Sequence, residues 1–276
     1  MADAGTGWER DRRTHFDDIA VEYDRIRSGY PEKLFADIFD YAGVNMPKAV
    51  LEIGAGTGKA TTPFLNAGYD VTAVEIGANM SRFLLKRFKG YKSFNVITTA
   101  FEDALLNEDS YDLIYAASAF HWVDAKIGCP KVFRLLRSGG TIALFPYNVI
   151  AARGEKLYED IQAVYEKHYY DFYTTNIRPV KKTKEDFKKP SEILHGFGFE
   201  DLRAYGFSDI SMQFYDLSQT FGAEEYIRWL DTMSDQRGLP DDNRAALYAG
   251  VRKAIENHGG NHTIDYIFQL YMGRKK

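Results

Sequence analysis

The sequence predicts an α/β fold: a doubly wound, mostly parallel sheet with helices packed on its faces. Three observations predict it. An apolar run, Ala49 to Ile53, passes directly into Gly54-Ala55-Gly56-Thr57-Gly58-Lys59 and then into a segment of helical length, Lys59 to Leu65. Strand-like runs near Ala49, Tyr69, Asn95, Tyr111 and Thr141 alternate with helical segments, the pattern of right-handed crossovers joining parallel strands. An acid, Glu75, closes the second run about 20 residues after the glycines begin, where a carboxylate reaches a ribose diol.

In chain order, helices are expected from about Trp8 to Arg27 and from Glu32 to Tyr41. The first strand then meets glycines at alternate positions, which let the backbone turn sharply and approach a ligand with no Cβ in the way. The helix after them offers unpaired N–H groups to a polar ligand. The spacing is G-x-G-x-G, not the G-x-G-x-x-G that cradles a dinucleotide pyrophosphate, and Glu52 stands two residues before the first glycine. A carboxylate there suits a ligand carrying positive charge. Its other open role is to accept hydrogen bonds from the N–H groups of the loop itself. Tyr69 to Val74 is the second strand. Ala78 to Phe88 is an amphipathic helix with Met80, Phe83, Leu84 and Phe88 on one face. A last strand, near His262 to Met272, alternates.

As a set, these residues resemble the class I S-adenosylmethionine-dependent methyltransferases. Glu52-Ile53-Gly54-Ala55-Gly56-Thr57-Gly58 is similar to the first motif of that family, and Val74-Glu75 to its second. Thr99-Ala100-Phe101-Glu102-Asp103 resembles the adenine-contacting segment. Tyr111-Asp112-Leu113-Ile114 with Ala119-Phe120-His121-Trp122 resembles the fourth strand and the loop after it, and Leu135-Leu136-Arg137-Ser138-Gly139-Gly140 the turn into the fifth. The resemblance covers roughly Phe16 to Phe145. Within the family, Phe16-Asp17-Asp18-Ile19-Ala20, Tyr23-Asp24, Arg27 and Tyr30-Pro31, with the His121-Trp122 pair, look like the small-molecule branch (methyltransferase type 11, trans-aconitate methyltransferase-like).

The resemblance implies a seven-stranded Rossmann-like sheet whose last strand is antiparallel, with a helical cap made from insertions. Residues 1–149 would hold the N-terminal helices and the cofactor-binding core, 150–186 a cap insertion, and 187–276 the rest of the core, with a second insertion at about 221–258. The segment Glu192 to Gly196 is expected in a helix. The first insertion carries Tyr165, Tyr169, Tyr170, Phe172 and Tyr173; the second has two expected helices, with Tyr226, Trp229 and Leu230 on one and Leu247, Val251 and Ile255 on the other. The resemblance further implies S-adenosyl-L-methionine as cofactor and S-adenosyl-L-homocysteine as product. The cofactor would be held by Glu52, Gly54, Ala55, Gly56, Thr57, Glu75, Ile76, Met80, Ala100, Phe101, Glu102 and Ala117, with Tyr23 and Arg27 closing the site. Tyr30, Trp122, Tyr169, Tyr173 and Trp229 would border a small-molecule methyl acceptor in one cavity facing His121. Arg27 has three open roles: to the terminal carboxylate of the cofactor, to an anionic substrate, or on the surface. An inward Arg27 or Arg178 would imply a carboxylate acceptor.

Methyl transfer from a sulfonium is an in-line displacement, so the protein chiefly supplies position and a dry pocket, an orientation worth roughly 7–11 kcal/mol. A carboxylate or phenolate acceptor needs no base. For a neutral alcohol or amine, His121 is the candidate, with a substrate-positioning or structural role as its alternative.

Composition sets the limits. A chain of 276 residues can bury a large core. The net charge of −4 and pI of about 5.9 give no nucleic-acid footprint, and the run Lys181, Lys182, Lys184, Lys188, Lys189 is expected on a solvated face. The single cysteine, Cys129, excludes an intrachain disulfide framework and fits a reducing, cytoplasmic compartment. No 18-residue apolar run is present, and Met1 to Arg13 is polar, unlike a signal peptide. The histidines show no metal-ligand spacing, so no metal is expected. A monomer or homodimer is expected. The competing readings are an NAD(P)-dependent oxidoreductase and a cofactor-binding protein without turnover.

Overall fold

The computed structural model describes residues 13–43, 49–150, 155–174, 178–179, 183, 185–186 and 201–276. Outside them lie the stretch from Trp8 to Arg12 of the expected first helix, the five lysines of the run Lys181 to Lys189, and the helix expected over Glu192 to Gly196. The elements in order are a 3-10 turn (Asp17–Ile19), α1 (Ala20–Ile26), α2 (Glu32–Ala42), β1 (Ala49–Ile53), α3 (Thr61–Asn66), β2 (Asp70–Glu75), α4 (Ala78–Arg87), β3 (Phe94–Thr98), β4 (Tyr111–Ala116), α5 (Ala125–Leu135), β5 (Leu136–Leu144), β6 (Tyr147–Ile150), α6 (Lys156–Tyr165), α7 (Asp201–Ala204), β7 (Phe207–Gly222), α8 (Ala223–Leu230), α9 (Ser234–Arg237), α10 (Asp241–Asn257) and β8 (Asn261–Lys275). Single 3-10 turns follow β3 (Phe101–Asp103) and β4 (Phe120–Trp122), and a π-turn follows α6 (Glu166–Tyr170).

The chain divides into two compact units, each assembled from three segments. The core unit is Gly29–Asn148, Lys184–Asp216 and Ile267–Lys276, and the helical unit is Met1–Ser28, Val149–Thr183 and Leu217–Tyr266.

In the core unit β1 runs parallel to β2, with Ala49 opposite Asp70 and Ile53 opposite Val74, and parallel to β4, with Val50 opposite Leu113. The sheet order β3-β2-β1-β4-β5-β8-β6 reverses direction between β1 and β4, and that switch point is where open α/β sheets bind ligands. Four consecutive residues of β1, Val50 to Ile53, are buried, as expected of a central parallel strand covered on both faces. β8 pairs antiparallel with β5, as expected. Among the described residues the sheet has eight strands rather than seven, because the short β6 adds to β8, which also pairs β7. α2 buries Leu34, Phe35 and Ile38 against an aromatic layer. In that layer Phe64 stacks on Tyr115 at 4.1 Å and Phe35 meets Phe145 edge-on at 6.0 Å. Full burial of one such ring is worth about 2–3 kcal/mol.

Three boundaries differ from expectation. The helix after the glycines begins at Thr61, not Lys59, because Gly58 has φ +84°, a left-handed conformation that no helix continues through. The described part of the first helix is a 3-10 turn followed by seven residues of α-helix. Between β7 and β8 stand three helices instead of two, since the short α9 intervenes.

The helical unit packs α10 against α6 and α8. Gly250 on α10 permits the close approach: a Cβ there would lie 2.5 Å from Val164 Cγ1. α8 buries Tyr226, Ile227, Trp229 and Leu230. Within this unit the strand pair β7–β8 is tied by Ser218 donating to Asp265 at 2.5 Å and by the Thr220 and Thr263 hydroxyls at 2.8 Å.

Candidate cofactor and acceptor site

The glycines after β1 divide into two kinds. A Cβ at Gly54 would strike Ala119 Cβ at 2.6 Å, and one at Gly58 would strike Phe88 Cε2 at 2.5 Å. These two are glycines for packing. Gly56 also has a left-handed φ, +55°, yet a Cβ there would meet nothing within 4 Å. The loop therefore leaves open space beside Gly56, at the C-terminal end of β1.

Glu75, 7% exposed, occupies the end of β2 facing that loop. Its Oε2 accepts from Gly56 N at 2.8 Å and its Oε1 from Gly77 N at 2.9 Å. One of the roles open to Glu52, accepting from the N–H groups of the loop, thus falls to Glu75. Each carboxylate oxygen has a second lone pair, so these two bonds leave acceptor capacity for a diol.

Glu52 is wholly buried. Its Oε2 accepts from Thr61 Oγ1 at 2.5 Å, and Tyr115 lies beside it. Burial pushes its carboxyl up to about 8, against the hydrogen bonds from Thr61 and Tyr115, with the nearby Glu75 charge adding to the rise.

Ala55, Thr57, Met80, Ala100 and Phe101 are buried in this unit, while Ala117 and Glu102 are half-buried. Ile76 lies between Glu75 and Gly77 and is half-buried. The turn Phe101–Asp103 is held by a residue that sequence reasoning did not single out. Lys131 on α5 donates to the main-chain oxygens of Phe101 at 2.7 Å, Glu102 at 3.1 Å and Ala104 at 2.6 Å, with its ammonium 5.1 Å from the Phe101 ring. Burial lowers the pKa of that ammonium, opposed by the neighbouring Asp103. No sequence signal marks this lysine, because its partners are main-chain atoms about 30 residues away.

After β4 the chain turns through Ser118, a non-glycine residue at φ +52°, into the turn Phe120–Trp122. His121 and Trp122 are half-buried there, with ring centroids 5.0 Å apart. Tyr30 meets Phe145 at 5.2 Å and Phe268 at 5.5 Å, both edge-on, within the aromatic layer of the core.

The other expected residues belong to the helical unit. Arg27 donates from Nε to Thr232 Oγ1 at 2.7 Å and from Nη2 to Thr232 O at 3.0 Å, with its guanidinium 5.3 Å from the Tyr23 ring and 5.5 Å from Trp229. Arg178 forms a two-pronged pair with Glu166 at 2.5 and 2.6 Å and lies over Tyr170 at 3.7 Å. Both arginines thus have partners of their own, and the carboxylate acceptor that an inward arginine would imply gains no support. Tyr173 and Trp229 are buried and Tyr169 is half-buried, the two tyrosines hydrogen-bonding to Asp235. Asp235 also escaped sequence reasoning; a single acid on the four-residue α9 carries no pattern. Among the described residues no group of histidine, cysteine or acid side chains could hold a metal ion, and no helix is long and apolar enough to cross a membrane.

Residues 51–144 match the methyltransferase domain family. The chain is similar to an uncharacterized methyltransferase of Mycobacterium tuberculosis, 34% identical over 135 residues that make up 49% of this chain and 53% of the relative. It therefore spans about half the length of that curated relative. It is similar over more of its length to an uncharacterized methyltransferase of Schizosaccharomyces pombe, 24% identical over 245 residues and 88% of each chain. Among solved structures its fold resembles that of Haemonchus contortus phosphoethanolamine N-methyltransferase 2 in complex with S-adenosyl-L-methionine. The TM-score is 0.54 at 16% identity, covering 96% of this chain and 58% of that one.

Proposed function

We propose, from a core whose residues 51–144 match the methyltransferase domain family, that this chain is a class I S-adenosylmethionine-dependent methyltransferase and moves a methyl group from S-adenosyl-L-methionine to an oxygen, nitrogen or carbon nucleophile of a small molecule. The observation that carries the reading is Glu75, a buried carboxylate bound to the N–H groups of Gly56 and Gly77, beside open space at Gly56. A diol seated there would use the remaining lone pairs of Glu75. Phe101 and Met80 offer apolar faces to an adenine, and Glu102 an acceptor for its exocyclic amine. The cofactor, when bound, supplies the activated methyl group and its own leaving group. The part of the protein is to orient the acceptor and exclude water. His121, on the turn after β4, takes the proton from a neutral acceptor and is not needed by an acceptor that is already anionic.

Calorimetry with S-adenosyl-L-homocysteine tests the cofactor half. Glu75→Ala removes two acceptors for ribose hydroxyls, and affinity should fall by about 2–3 kcal/mol, some 30- to 150-fold. Unchanged affinity would exclude this role for Glu75, and tighter binding of a nicotinamide dinucleotide would replace the methyltransferase reading with the oxidoreductase one. For the acceptor half, His121→Asn should lower kcat about 100-fold on a neutral acceptor while leaving cofactor affinity unaltered.

A further inference from the structure

The helical unit contains a buried acid that has no cationic partner among the described residues. Asp235, on α9, is 7% exposed, and its neighbour Gln236 is 3% exposed. Asp235 Oδ2 accepts from the Tyr169 hydroxyl at 2.7 Å and from Gln236 Nε2 at 3.1 Å. Its main-chain oxygen accepts from the Tyr173 hydroxyl. The other carboxylate oxygen, Oδ1, and the Gln236 Oε1 are both buried with no hydrogen-bond partner among the described residues. Among the described residues no lysine, arginine or histidine pairs with Asp235, and burial pushes its carboxyl up, against the Tyr169 and Gln236 side chains and the main-chain N–H groups of Asp235 and Gln236. Leaving two neighbouring acceptors unmet in a dry place costs about 1–3 kcal/mol each, so the arrangement asks for a donor.

The surroundings indicate what kind of donor. Tyr165 and Tyr169, with ring centroids 5.2 Å apart, are half-buried and stand beside the acid, whose charge acts on both hydroxyls. Tyr173, which is buried, lies 4.9 Å from Tyr169. A carboxylate, an amide oxygen and tyrosine π-faces form a donor set suited to a positively charged nitrogen with short alkyl substituents. Its N–H groups satisfy the two acceptors, its charge meets the carboxylate, and its methylenes lie on the rings. An anion would be repelled by the Asp235 carboxylate, and a neutral apolar group would leave both acceptors unmet.

We propose that Asp235 and Gln236, edged by Tyr165, Tyr169 and Tyr173, bind the ammonium head of an organic amine. The site lies entirely within the helical unit and does not depend on the methyl-transfer reading, since its test uses no cofactor.

The test titrates n-butylammonium chloride into the full chain, followed by saturation-transfer NMR and calorimetry, with n-butanol as the uncharged control. The amine should bind saturably and at least about tenfold more tightly than the alcohol. Asp235→Asn removes the charge while keeping an acceptor for Tyr169, and should weaken the amine about tenfold or more. Gln236→Met should weaken it several-fold, and it carries the test alone if Asp235→Asn does not fold. Equal binding of amine and alcohol, no binding of either, or full affinity retained in the variants overturns the proposal. So does a crystal soaked in the amine that shows only ordered waters on Asp235 Oδ1 and Gln236 Oε1.

Discussion

At the scale of single residues, two glutamates about 20 positions apart do opposite things. Glu75 accepts two main-chain N–H groups at the loop, while Glu52 is sealed in the core and its carboxyl is pushed up to about 8. The second has a consequence for stability. The ordinary value for Glu52 is 4.5, so above that pH the unfolded chain has released a proton that the folded chain keeps until about pH 8. Stability from this group is therefore complete below pH 4.5 and is lost as pH rises towards 8, by at most about 5 kcal/mol. Glu52→Gln remains neutral throughout, so the variant should lack this part of the decline. Urea unfolding of both proteins at pH 5 and pH 8 measures it, and parallel pH profiles would show that Glu52 titrates normally. The same pair marks what could be read from sequence at this scale. The offset of Glu75 from the glycines located it at a strand end facing the loop. The division of labour between the two acids was not legible, because it depends on which carboxylate the loop N–H groups happen to face.

At the scale of elements, the glycine loop and the turn after β3 are each held by contacts that a substitution can isolate. Gly58→Ala drives a Cβ to 2.5 Å from the Phe88 ring and 2.9 Å from Leu84 on the face of α4, at φ +84°. It should destabilise the core by about 2–4 kcal/mol, read as a lower melting temperature, with or without ligand. Gly56→Ala adds a methyl group where nothing lies within 4 Å. Its cost to the fold should stay near 1–2 kcal/mol, while S-adenosyl-L-homocysteine affinity falls more than tenfold because the methyl group enters the ligand space. If both variants lose stability equally and bind ligand normally, the open space beside Gly56 is not the cofactor site. Lys131 does for the turn Phe101–Asp103 what the glycines do for the loop. Lys131→Met strips the donor from three carbonyls at 2.7, 3.1 and 2.6 Å and should weaken the product about tenfold, with Lys131→Arg restoring part of the loss. Equal losses in both variants would mean that the ammonium does not position the turn. The strands, their parallel order and the loop were legible because apolar runs, glycine spacing and alternation are local signals. The eighth strand was not, because four residues, Tyr147 to Ile150, carry no periodicity. Nor was α9, a four-residue helix.

At the scale of the whole molecule, each unit draws on three separate stretches of chain, so neither can be read as a contiguous domain. β7 and β8 begin in one unit and end in the other, since the units divide the chain within both strands, after Asp216 and after Tyr266. This assembly makes a prediction about cooperativity. If each unit opens as a body, hydrogen exchange should show one free energy shared by Gly29–Asn148, the described part of Lys184–Asp216 and Ile267–Lys276, and another shared by the described parts of Met1–Ser28, Val149–Thr183 and Leu217–Tyr266. A ligand that binds only the native core stabilises it by RT ln(1 + [L]/Kd), about 2.7 kcal/mol at a hundredfold excess over Kd. S-adenosyl-L-homocysteine at that excess should therefore slow exchange across all three core segments by about a hundredfold where opening requires the whole unit. The strongest local protection should fall at Gly54 to Gly58, Glu75 to Met80 and Ala100 to Asp103. Protection confined to one chain segment would show that the core does not open as one body. Strongest protection away from those loops would place the cofactor elsewhere, whatever the fold resembles.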